Sequence, residues 1–147
     1  MRPVKLIGVA SGLGAQDPGC AAGPRILRDL GVFQHGTESA TWGPVLRPHG
    51  GVGSLVAVDA ELCTRLAGEV WQALQSGQFP LVVGGDHSCA IGTWSGVTHW
   101  LDSRGPLGLI WIDAHMDSHT FATSPSGALH GMPLACLLGH GETLLTN

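Results

Sequence analysis

Two short runs of this sequence combine residue types that suggest chemistry: Gly84-Gly85-Asp86-His87-Ser88 and Asp113-Ala114-His115-Met116-Asp117. In the second run an extended chain would point positions 113, 115 and 117 the same way, because strand side chains alternate between faces. Two carboxylates and an imidazole would then converge, and the carboxylates repel unless a cation sits between them. Mixed oxygen and imidazole donors suit Mn2+, Fe2+, Co2+ or Ni2+. In the first run the glycines let the backbone turn sharply and approach a ligand closely. An Asp-His pair there is costly to bury unless it is paired or metal-bound. Each run also has a plainer explanation. Asp86 or Ser88 could cap a following helix with His87 merely half-buried, and Asp113 could cap a turn in a solvated loop where His115 is incidental.

Such side chains need elements to position them. Val4 to Ala10 reads as a buried strand that ends in Ser11-Gly12-Leu13-Gly14. Gly23-Pro24 opens a short helix to about Leu30, with Gly31 as its C-cap. Residues 36–53 are rich in Gly, Pro and polar residues, with room for a short strand around Val45-Leu46. Cys63, Leu66, Ala67, Val70, Trp71 and Leu74 then form one apolar helical stripe, which begins near Asp59 or Ala60 and ends at Gly77. Phe79 to Val83 is a short buried strand closed by Gly84-Gly85, and a helix follows from Ser88 to Leu101. Leu107 to Ile112 is apolar throughout, as expected of a strand buried on both faces. A last helical segment begins near Met132-Pro133. Strand, helix, strand, helix, strand is the pattern of parallel βαβ units. In such sheets ligands bind beyond the carboxyl ends of the strands, where both runs fall.

Composition narrows the function classes. A chain of 147 residues with 44% hydrophobic and 12% charged residues reads as one packed domain. The net charge of −4 and seven scattered basic residues argue against nucleic acid and against a membrane surface. The run Leu6–Ala10 is too short and glycine-broken for a signal peptide. The four cysteines form no Cys-x-x-Cys pair, so reduced, buried thiols in the cytoplasm are expected. Gly12-Leu13-Gly14 could open a nucleotide-binding loop, but the third glycine of that fingerprint is not at its spacing.

Gly-Gly-Asp-His-Ser followed by Asp-Ala-His-x-Asp resembles the first two metal motifs of the arginase/agmatinase/formiminoglutamase family. Gly23-Pro24 with Leu27-Arg28 resembles that family's first helix. Ser126-Gly127-Ala128-Leu129-His130-Gly131-Met132-Pro133 is similar to the arginase segment Ser-Gly-Asn-Leu-His-Gly-Gln-Pro. The resemblance implies a three-layer α/β/α fold with a mostly parallel sheet. It also implies that His87 and Asp117 ligate one Mn2+, that His115 ligates a second, and that Asp113 bridges both, with Ni2+ or Co2+ as substitutes. A hydroxide shared by two such ions would attack a guanidinium carbon and release urea and an amine. His130 matches a proton-shuttling position, and Ser126 a position that helps bind the α-carboxylate and amino end of arginine. His119 and Ala128 stand where arginases carry Asn, so arginine, agmatine and other guanidino compounds all remain candidate substrates. The family further implies a homo-oligomer, trimer or hexamer. Its third motif, Ser-x-Asp-x-Asp, has no counterpart after Pro133. The sequence is therefore expected to be the N-terminal half of a single ureohydrolase domain, truncated after about half the fold, and nearly inactive and poorly stable alone. The alternative is a non-catalytic metal-binding fragment or pseudoenzyme of the same family.

Overall fold

β1 (Val4–Val9) is apolar except for Lys5, and its last four residues are buried. The computed structural model describes residues 2–33, 40–49 and 53–146, so 36–39 and 50–52 of the stretch 36–53 lie outside the described residues. Ile7 and Val9 pack with Leu62, Leu66 and Val70 on one face of the sheet. Gly8 points the other way, and a Cβ there would stand 3.3 Å from the side chain of Pro24. Helices thus cover opposite faces of one sheet, giving three layers. β2 (Ala40–Leu46) and β3 (Phe79–Gly84) flank β1, both parallel to it, in the order β2-β1-β3. The strand expected around Val45-Leu46 is thus the end of a longer one.

α1 (Gly23–Asp29) starts at a Gly-Pro pair and is followed by Gly31 at φ 66°, the left-handed conformation that glycine adopts without strain. α2 (Leu55–Gln75) begins a turn earlier than the apolar stripe predicts. Ser54 is its N-cap, and the Ser54 hydroxyl accepts from the Ala57 N–H at 3.2 Å. The buried face runs through Asp59, Leu62, Cys63, Leu66, Val70 and Ala73, so the stripe includes a carboxylate and leaves Trp71 and Leu74 at its edge. α3 (Cys89–Leu101) lies against α2 backbone to backbone. A Cβ on Gly96 would meet the Ala67 carbonyl oxygen at 2.5 Å, and one on Gly92 would run into the Cys63 carbonyl.

One expected element is not formed. Residues 105–112 pair with no strand among the described residues, and Ile110 and Ile112 are 84% and 92% exposed. Apolar, β-branched sequence favours a strand only where a neighbour supplies ladder partners and a covering layer, and here β3 ends the sheet on its side. Beyond this segment α4 (Pro133–Leu137) and α5 (Thr143–Thr146) return to the body. There Leu129, Met132, Cys136 and Leu145 pack with Cys63 and Ile91. All four cysteines are free thiols, and no described helix is long and apolar enough to cross a membrane.

Gly96→Ala should lower stability by about 1–3 kcal/mol, because the added methyl must separate two helix backbones. Urea denaturation of the two proteins checks this, and an equal or higher midpoint for the variant would show that α2 and α3 can part at no cost.

Candidate metal centre

At the carboxyl end of β3 the chain turns through Gly85, whose missing Cβ makes room for the Ser11 carbonyl of the neighbouring loop. Asp86 then turns inward. Its Oδ2 accepts from the Gly14 N–H at 3.1 Å and its Oδ1 from the Ser88 N–H at 2.9 Å, which compensates a carboxylate that is only 8% exposed. Ser88 stands at the N-cap of α3 without capping it; its hydroxyl donates instead to Asp59 Oδ1 at 3.1 Å. The helix cap expected of Asp86 or Ser88 is thus not formed, since Asp86 holds the N–H of the N-cap residue itself, and His87 points elsewhere. Nδ1 of His87 lies 2.6 Å from Asp117 Oδ2 and 3.2 Å from Asp113 Oδ2. One ligand atom from each of these three residues falls within 4.8 Å of the others. Donors around a single six-coordinate divalent ion span about 4–5 Å, so the set fits one ion with little movement. Both carboxylates converge on one nitrogen, so the three side chains are placed where they could hold a cation.

The route by which Asp113 and Asp117 reach His87 differs from the alternation expected of a strand. The chain bends over residues 113–115, where Asp113 Oδ1 accepts from the His115 N–H at 2.8 Å, and Asp117 has φ 49°. A turn and a left-handed residue, rather than a flat extended run, bring the two carboxylates together. His115 consequently falls outside the trio. Its side chain is 82% exposed and its Nδ1 lies 3.4 Å from Asp113 Oδ1. Trp111 lies against His87: its ring is tilted 30° to the His87 ring at 4.7 Å, and its buried Nε1 has no partner among the described residues.

A cavity of about 550 Å3 opens beside the trio, with His115, His119 and His130 also in its walls. His119 is held by its Nδ1 against the Thr123 hydroxyl at 3.2 Å and by its N–H on the Gly131 carbonyl at 3.2 Å. His130 sits in a single 3-10 turn, Leu129–Gly131, anchored by the buried Leu129. Ser126, expected at the substrate end, does not line this cavity. Its hydroxyl is spent within its own turn, accepting from the Ala128 N–H at 3.2 Å.

Two carboxyls are electrostatically perturbed. The hydrogen bond from the His115 N–H, assisted by nearby His87, lowers the pKa of Asp113. Burial, then the charge of Asp86, pushes Asp59 up to about 6 against the opposing bond from Ser88. Burial likewise raises Cys63, and Cys89 to about 12, so these thiols stay protonated. Asp59 and Gly14 were not singled out as site residues by their sequence context. An acid inside an otherwise apolar helical stripe was the one available signal for Asp59.

The sequence model of the Arginase family matches residues 2–144. This chain belongs to the arginase family. It is 43% identical to an arginase of Bacillus caldovelox over 159 residues, which covers 99% of this chain and 52% of that protein. It is 45% identical to an arginase of Saccharomyces cerevisiae over a shorter region, 59% of this chain. Among solved structures, an arginase from Bacillus subtilis superposes with a TM-score of 0.85 at 35% identity, covering 99% of this chain and 51% of that one. An Entamoeba histolytica arginase solved with L-ornithine gives a TM-score of 0.85 at 28% identity, covering 99% and 53%. This arginase-family chain thus spans about half the length of the curated relatives it matches over most of its own length.

The raised Asp59 pKa has a definite sign for stability. Folded Asp59 keeps its proton up to about pH 6, whereas an ordinary carboxyl loses it near 3.8. Folding therefore takes up a proton between those values, and the Asp59 contribution falls as pH rises from about 4 to 6. Asp59→Asn removes that loss, so its stability relative to the parent should rise by about 2–3 kcal/mol between pH 4 and pH 7. Denaturation curves at the two pH values measure the difference, and a constant offset would mean that Asp59 ionises normally.

Proposed function

We propose that this chain contributes the first part of a ureohydrolase site, which hydrolyses a linear guanidino compound to urea and an amine. The observation that supports this most directly is the convergence of His87, Asp113 and Asp117 on one point, with His130 in the wall of the same cavity. In the reaction a C–O bond to water forms at the guanidinium carbon and the C–N bond to the alkyl amine breaks. One water is consumed, and the products are neutral urea and a protonated amine, so charge and protons balance. Divalent ions held at this centre, two Mn2+ in a complete site or Ni2+ or Co2+ in their place, would supply the Lewis acidity that makes water nucleophilic at neutral pH. His87, Asp113 and Asp117 would hold one such ion, and His115, at the cavity rim, would serve a second. His130 hands a proton to the departing amine, a task suited to imidazole near neutral pH.

His119 bears on substrate choice. It lies in the cavity wall with Nδ1 engaged, so it presents the bulk and single remaining ring nitrogen of an imidazole where arginases carry an amide. Agmatine or another guanidino compound lacking the α-carboxylate fits this change better than arginine. Ser126 would have to leave its turn to take part. A homo-oligomer, trimer or hexamer, and a reducing cytoplasmic setting for the four free thiols complete the proposal.

A second reading is a metal-binding chain without turnover. It is favoured by the trio being the one group of at least three candidate ligands among the described residues. Urea release from arginine and agmatine with excess Mn2+, by this chain alone and co-expressed with the second half of an arginase, together with metal content and size-exclusion chromatography, separates the two. Turnover in either setting supports the first reading; bound metal with no urea in both supports the second; neither metal nor urea overturns both.

The cavity geometry leads to two further expectations. His87→Ala or Asp117→Ala should weaken Mn2+ binding by about tenfold or more, since either removes one of three donors; calorimetry showing parental affinity would remove the trio from consideration. Where turnover is present, His119→Asn should shift the kcat/KM ratio toward arginine. Efficient arginine hydrolysis with His119 intact would sink that assignment.

A further inference from the structure

The Gly12-Leu13-Gly14 loop contributes nothing to the metal trio and does not line the cavity beside it. Gly14 is nonetheless buried, and its two peptide groups are bonded in two directions. Its N–H donates to Asp86 Oδ2 at 3.1 Å, and its carbonyl accepts from the His130 N–H at 3.1 Å. Asp86 directly precedes His87, and its second oxygen holds the Ser88 N–H at 2.9 Å just after it. The histidine beside the carboxylates and the histidine across the cavity are therefore joined through one residue. A Cβ on Gly14 would stand 2.7 Å from Asp86 Oδ1 and 3.1 Å from the His130 nitrogen, so any side chain would push apart the groups it now joins.

We propose that Gly14 is a positioning residue that sets His130 against the metal-ligand loop, with the Asp86 carboxylate as its grip on that loop. The inference rests on reading His87 as a ligand and His130 as the proton carrier. The turn that carries His130 is one 3-10 turn, too short to orient itself. Leu129 fixes its depth in the core, and the bond to Gly14 fixes which way the next residue faces. The bond from Gly14 to Asp86 is buried, so water cannot easily replace either partner.

The test uses the 147-residue protein, isotopically labelled and titrated with Mn2+, whose paramagnetism broadens nearby proton signals steeply with distance. In the parent, the ring protons of His130 should broaden together with signals around His87 and Asp117. At equal Mn2+ occupancy, Gly14→Ala and Asp86→Asn should broaden His130 severalfold less while the effect at Asp117 persists. The His130 amide should exchange with solvent about two to ten times faster in both, the range for losing one hydrogen bond to a neutral carbonyl. Leu13→Ala, which disturbs the same loop without adding a group at Gly14, should behave as the parent does. Absence of broadening at His87 and Asp117 in the parent would overturn the metal-centre reading and this inference with it. Parental broadening and exchange of His130 in both variants would overturn the role of Gly14 alone. Where a variant fails to fold, the His130 amide of the parent decides: slow exchange supports the assignment, and exchange at the rate of an open loop overturns it.

Discussion

In a parallel sheet all strands deliver their following loops to one edge, and here two of those loops are bonded to each other before either reaches its chemistry. The Gly85 N–H donates to the Val9 carbonyl at 2.9 Å and the Asp86 N–H to the Ser11 carbonyl at 3.1 Å, so the β1–β3 ladder continues past the formal ends of both strands. That continuation is sterically demanding. Gly85 must lie against the Ser11 carbonyl, and only a residue without a side chain can do so. Once it is in place, the register of the ladder determines where Asp86 is buried and where His87 emerges. The direction of the histidine is thus a consequence of strand pairing, with no need for a fold-specific loop.

The helical layer reinforces the same loop from behind. α2 and α3 approach closely enough at Gly92 and Gly96 for Asp59, deep in the buried face of α2, to receive the Ser88 hydroxyl. Ser88 therefore gives its N–H to one acid and its hydroxyl to another, one residue after His87. Burying two carboxylates so near each other is unfavourable, and the raised Asp59 pKa expresses that cost. The gain is a loop around His87 gripped on both sides by groups that cannot easily exchange with water.

Much of this was legible before any coordinates. Hydrophobic period distinguished the strands from the helices, and glycine placement marked the loop after β3, because both reflect local sterics. The start of α2 was misplaced because its first turn is capped by Ser54 and carries Leu55 and Val56 ahead of the regular stripe. The expected strand over Leu107–Ile112 failed for a different reason: pairing is a property of two segments, and an apolar run cannot report whether its partner is there. The site followed the same division. That His87, Asp113 and Asp117 come together is legible from residue type and placement. That His115 would stand apart depends on the turn at Asp113 and on φ at Asp117, which alternation ignores. Gly14 and Asp59 act through contacts with residues far along the chain, and no spacing rule reaches that distance.

Trp111 gives this centre a native optical probe. Its indole lies against the His87 ring with the nitrogen sequestered from solvent, so its electronic environment is set by that imidazole more than by bulk water. Any change in the charge or orientation of His87 alters the asymmetric field felt by the indole, and with it the near-ultraviolet circular dichroism of that chromophore. A fluorophore in contact with the ring is also placed for efficient quenching by an open-shell ion bound to it. The residue beside the candidate ligand can therefore report on that ligand without any label being attached.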